Sequence, residues 1–146
     1  MRLPTPVSLI GYAGLIPFFL GPAWLSLSPQ TIPDWMDAVW LSYCALIAAF
    51  MAGSLWGFAL PACEGAAGLA GLLIAMALML LAWFSTALPF APALAVLALT
   101  FVMLLVADFW RERSLGTVGG YFALRSVLTI GVLTAMGWRY AISASA

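Results

Sequence analysis

Five stretches of this sequence stay apolar for long enough to cross a lipid bilayer, and no other feature restricts its fold as much. They run from about Val7 to Leu27, Trp35 to Leu60, Gly65 to Ser85, Pro92 to Trp110 and Gly119 to Tyr140. A hydrocarbon core about 30 Å thick takes about 20 helical residues per crossing. Within it every backbone N–H and C=O needs a partner inside the protein, which a helix supplies by itself. The expected fold class is therefore all-α, an integral membrane bundle of five transmembrane helices forming one domain over residues 1–146.

The connections agree with these limits. Ser28 to Asp34 and Leu88 to Pro92 carry prolines, and Pro61 to Gly65 is a short turn. Such residues interrupt a helix or cannot continue one. Arg111 to Thr117 is the charge-dense connection and is expected as a loop. Little chain remains for any domain outside the membrane.

Composition removes several classes of function. Of 146 residues 66% are hydrophobic and 7% charged, against about 45–50% and 25% in ordinary soluble domains, so a soluble fold is excluded. Five arginines balance five acidic residues. Scattered singly, those cations form no patch of the kind that neutralises nucleic-acid phosphates, which excludes a nucleic-acid partner. The chain has no histidine, so the commonest ligand for zinc, copper and haem and the usual general base near neutral pH are missing. No catalytic centre, metal or cofactor is expected. Cys44 and Cys63 form no CxxC and read as free thiols. Met76 and Met79 form an MxxM, whose plain reading is apolar filling and not a soft-metal site.

Orientation follows from the arginines. In a five-span chain Arg2, Arg111 and Arg113 fall on one side and Arg139 on the other, with Arg125 able to snorkel toward the first group. Positive residues favour the inner face, so the N-terminus is expected in the cytoplasm and the C-terminus outside, in the periplasm. The seven tryptophans all fall near expected helix ends, where an indole ring prefers the headgroup level.

Three constellations stand out. On the second helix Ala45, Ala49, Gly53 and Gly57 recur at every fourth residue and wind a shallow groove along one face. Such a groove lets another backbone approach closely. Its plain reading is packing inside the bundle, with a dimer interface as the alternative. Ala67, Gly71 and Ala75 on the third helix are expected to meet it.

Second, Asp108 and Arg125 are ionisable residues within spans, where a charge is expensive and is usually paired. They lie at equal distances from the centre of the connection between helices four and five, so an ion pair near the cytoplasmic interface is expected. Arg111 is set aside as a loop residue. Tyr121 and Thr129 share the face of Arg125, and Tyr12, Ser54 and Trp56 approach the same depth. The resulting polar cluster reads either as a structural lock or as a site for a lipid headgroup, quinone or other polar ligand. A proton path is disfavoured, since no chain of ionisable groups crosses the bilayer. Third, Pro17 and Pro22 are expected to kink the first helix and free backbone carbonyls.

Three blocks carry a resemblance: Gly11-Tyr12-Ala13-Gly14-Leu15-Ile16-Pro17-Phe18, Gly53-Ser54-Leu55-Trp56-Gly57-Phe58-Ala59-Leu60, and Tyr121-Phe122-Ala123-Leu124-Arg125 with Leu128-Thr129. Together they resemble the signature blocks of small five-span inner-membrane proteins of proteobacteria grouped as a domain of unknown function. A mitochondrial transmembrane protein of animals is related to that group. The resemblance covers nearly the whole chain and implies architecture and location without an activity. Leu55 stands where that pattern has a histidine before the tryptophan, which puts any His-based role in doubt here.

The reading that follows is a multi-pass inner-membrane protein, non-enzymatic, acting as an accessory, assembly or scaffold factor through helix packing with other membrane proteins or itself. The alternative is an intramembrane binder or carrier of a small hydrophobic ligand, such as a lipid, quinone or tetrapyrrole-like molecule, at the cytoplasmic-side polar cluster.

Overall fold

A computed structural model describes residues 3–145; Arg2, used above for orientation, lies outside them. The described residues form six α-helices: α1 (Thr5–Ala13), α2 (Ile16–Leu27), α3 (Met36–Ala59), α4 (Ala66–Ser85), α5 (Phe90–Leu115) and α6 (Tyr121–Ala144). With α1 and α2 counted as one span and the turn Leu60–Ala62 continuing α3, five segments are long and apolar enough to cross a membrane.

Two boundaries differ from expectation in ways that matter. The first span is two helices broken at Gly14 and Leu15, because Pro17 has no N–H to donate and its ring clashes with the preceding turn. Restarting the helix places that proline in the first turn of α2, where its missing N–H leaves no gap. The fourth span runs on to Leu115, so Arg111 to Leu115 are helical and not a loop. Nothing in that stretch breaks a helix until Gly116, which ends α5 with φ at 106°, a conformation that glycine adopts readily.

Helices α2, α3, α5 and α6 pack side by side as a closed ring, with α4 outside against α3 and α5 and α1 outside against α6. Phe18 fills the middle of the ring, edge-on to Tyr43 at 5.1 Å and to Phe101 at 6.0 Å. Cys44, Leu97, Leu104 and Val132 belong to the same buried cluster. Lipid tails are as apolar as these side chains, so dispersion at close contact holds such a core together more than exclusion of water does.

The α3–α4 hairpin makes the closest backbone approach. A Cβ on Gly71 would stand 2.7 Å from the Ala59 Cβ, and one on Gly68 would overlap the Ala62 carbonyl. The buried face of α3 includes Ala48, Ala52, Leu55 and Ala59, of which Ala59 meets Gly71. This corrects the expected groove. Ala45 is buried, but Ala49 is only partly so, and Gly53 and Gly57 face outward with no atom within 4 Å of where a Cβ would stand. Of the second ladder, Gly71 and Ala75 do pack, with Gly68 and not Ala67 as the buried residue of the first turn.

Two side chains of α3 close the break in the first span. Pro22 cannot donate to the Phe18 carbonyl, and the Trp40 indole N–H donates to it instead at 3.0 Å. At the interruption the Phe18 N–H turns to Leu15, and the Tyr43 hydroxyl donates to the Gly14 carbonyl at 2.7 Å. Trp40, expected as an interfacial anchor, is thus buried, and its ring lies so close to Gly21 that a Cβ there would approach within 2.7 Å. The Phe18 and Gly14 carbonyls are thus both taken up by side chains of α3. Trp40→Phe is expected to lower stability by about 1–3 kcal/mol, the cost of leaving a buried carbonyl unpaired. Trp24→Phe, which removes only an exposed bond to Thr31, serves as the control. Equal thermal midpoints for the two variants in detergent would contradict the assignment.

Candidate functional site

The turn between α5 and α6 is set by two glycines of positive φ, Gly116 at 106° and Gly120 at 77°. It folds the helices back on each other so that Asp108 and Arg125 meet. Arg125 donates through Nε at 2.7 Å to Oδ2 of Asp108, and its terminal nitrogen Nη2 makes an ion-pair contact with the same oxygen at 2.6 Å. The other oxygen, Oδ1, faces Arg111 Nε at 3.8 Å. That is an ionic contact and too long for a hydrogen bond.

Arg111, expected in a loop, is the largest fully buried side chain among the described residues, at 1% exposure. One terminal nitrogen donates to the Gly116 carbonyl at 3.2 Å, capping the end of its own helix. Its guanidinium lies over the Phe58 ring at 4.4 Å and the Tyr121 ring at 5.4 Å, and these two rings meet edge-on at 5.1 Å. Arg125 stands 5.8 Å from the Tyr121 ring centre. The site is therefore a buried triad of two arginines and one aspartate against aromatic faces, with one positive charge in excess. Asp108 Oδ1 and Arg111 Nε and Nη2 are buried without hydrogen-bond partners. Such groups are rare in folded proteins and call for a physical reason.

The other expected members of the cluster separate. Tyr121 belongs to it, and Thr129 is buried one turn beyond Arg125. Ser54 donates within its own helix to Phe50 and borders a neighbouring cleft. Tyr12 (45% exposed) and Trp56 (38% exposed) do not join. Trp56 stands instead with Ala49 and Gly53 of α3 along a shallow groove that Met76 and Met79 of α4 border on the other side. One-residue steps around a helix swing a side chain by about 100°, so equal depth did not mean a common face. Arg111 had a usable sequence signal, its i+3 spacing from Asp108 with no helix breaker before Gly116. Phe58 had none.

The cleft bordered by Ser54 has a volume of about 460 Å³ and opens where the first span is broken. Ile10 and Gly11 form one wall, Phe50 and Ser54 another, and Tyr121 and Arg125 stand on α6. Its lining is apolar apart from Ser54, Tyr121 and Arg125.

A second ion pair lies at the far end of α6. Arg139 grips Asp37 with Nε at 3.2 Å and a terminal nitrogen at 2.8 Å, and its guanidinium lies over Phe90 at 4.3 Å. It ties the start of α3 to the end of α6. Two-pronged geometry of this kind is the strong form of an arginine–carboxylate contact. Among the described residues no three His, Cys, Asp or Glu side chains gather as a metal site would require, and both cysteines are free.

No curated protein and no solved structure matches the chain. The sequence profile of a family of unknown function, DUF3429, matches residues 3–141. That interval takes in the broken first span, the outward face of α3 and the buried triad alike, and a match of this extent places the chain in the DUF3429 family.

Proposed function

We propose that this protein is a non-enzymatic accessory, assembly or scaffold factor of the bacterial inner membrane, acting through helix packing with other membrane proteins or with itself. The observation that carries this reading is the outward strip of Ala49, Gly53 and Gly57 on α3, open beside both glycines. In lipid a strip of small residues lets a second helix come close enough to gain dispersion contacts along its length. The N-terminus lies in the cytoplasm and the C-terminus in the periplasm. Support for this comes from Arg111, Arg113 and Arg125 near the α5–α6 turn, beside which Leu3 also packs. At the opposite end of α6 stands a single arginine, Arg139. The inner membrane and the proteobacterial and mitochondrial kinship follow the resemblance of the three sequence blocks.

Gly53→Leu tests the reading. Because the space beside Gly53 is open, the thermal midpoint of the monomer should hold, while association in mild detergent or in bilayers is lost. An unchanged oligomer size or set of co-purifying subunits would reject it.

A second reading, binding of a small hydrophobic ligand such as a lipid, quinone or tetrapyrrole-like molecule, is favoured by the cleft of about 460 Å³, apolar along its walls and bordered by Arg125. That size lies within the range of about 300–1,000 Å³ of small-molecule sites.

A further inference from the structure

We infer that the cleft between α1, α3 and α6 takes an acidic phospholipid, with an acyl chain along its walls and the phosphate at the Arg125 end. The inference rests on the second reading above and gives it a ligand class.

Three observations converge. The cleft is open sideways: Ile10 and Phe50, on opposite walls, are 73% and 72% exposed, so an acyl chain can enter from the surrounding lipid. Its polar groups are confined to one end. Ser54 lies near the end of α3 and Tyr121 and Arg125 in the first turns of α6. About 20 residues cross the hydrocarbon core, so Tyr121 at the start of α6 stands near headgroup depth, with Arg125 one turn and Ser54 about two turns in from the ends of their spans.

The charge at that end has one sign in excess. Asp108, Arg111 and Arg125 sum to one positive charge, and adding nearby Glu112 and Arg113 leaves that sum unchanged. Arg125 uses two of its three nitrogens on a single oxygen of Asp108 while bordering the cleft. Directly behind Tyr121, Arg111 keeps two buried nitrogens without partners. The N-terminus of α6 adds a positive dipole end that no side chain caps. A neutral ligand would leave this excess uncompensated, whereas a phosphodiester compensates it. Basic pockets between spanning helices bind acidic headgroups on the same grounds.

The test is native mass spectrometry of the intact protein in mild detergent, titrated with dioleoyl phosphatidylglycerol, dioleoyl phosphatidylcholine or inorganic phosphate. The expected result is one phosphatidylglycerol retained about fivefold or more tightly than phosphatidylcholine, as about one net charge near the headgroups provides. Ser54→Phe fills the head end of the cleft while keeping Asp108, Arg111 and Arg125 themselves, and should abolish that preference with the thermal midpoint unchanged. Trp24→Phe, at the opposite end of the first span and outside the cleft, should leave it intact. Equal retention of the two lipids, or a preference that survives Ser54→Phe, overturns the inference. If phosphatidylcholine or a co-purified quinone is instead held in a Ser54-dependent way, the acidic class fails and the ligand reading stands. If nothing is retained, both fail. Equal protection of the thermal midpoint by inorganic phosphate alone overturns the role of the acyl chain.

Discussion

Asp108→Asn is expected to destabilise the protein by about 3–5 kcal/mol, the usual consequence of stranding buried charge by removing its partner. It leaves two guanidinium groups, Arg111 and Arg125, enclosed with no carboxylate between them. Arg125→Met should be milder, because Arg111 stays 3.8 Å from Asp108 and partly holds its charge. The sharper contrast is between multiple replacements. If Asp108 and Arg125 were an isolated pair, matched apolar residues at both positions would recover the lost stability, as they often do for buried pairs. In this triad Asp108→Leu with Arg125→Met leaves Arg111 alone at 1% exposure and should not recover it. Adding Arg111→Met should. Unfolding followed in detergent or bilayers reads the difference, and full recovery in the double variant would show that Arg111 is no part of the network.

Gly68→Ala is expected to destabilise by about 3 kcal/mol, the upper end for forcing atoms into a packed site. The new Cβ would overlap the Ala62 carbonyl oxygen, and what it meets is backbone that no rotamer change can move aside. The α3–α4 turn would have to open. Gly53→Ala, on the other helix of the same hairpin, meets nothing within 4 Å. It should be neutral or stabilise by up to about 1 kcal/mol through helix propensity. Similar thermal midpoints for the two alanine variants would refute the close approach described here.

This contrast also marks where sequence reading reached its limit. Small residues at every fourth position were visible on both helices, yet the packed face of α3 is Ala48, Ala52, Leu55 and Ala59, and the face of Gly53 and Gly57 is open. In a water-soluble helix the polar residues would have marked the outer side. In a helix apolar all round, the face toward lipid and the face toward protein look alike, so periodicity carries no sign of which is which. Trp40 shows the same limit. Its position near a helix end suited an interfacial anchor, and only the path of the first span beside it reveals a donor for the Phe18 carbonyl.

The number of spans, their approximate limits and the contact between Asp108 and Arg125 depend on chain-local physics. Apolar length must match bilayer thickness, prolines stop helices, and residues equidistant from a short turn come to equal depth. These properties were legible in the sequence. Arg111 in the buried site, Trp40 and Tyr43 closing the broken first span, and the cleft beside Arg125 were decided by tertiary structure. Each depends on which way a helix is turned about its own axis, and in lipid that rotation is set by close contact with neighbouring helices and not by any pattern along the chain.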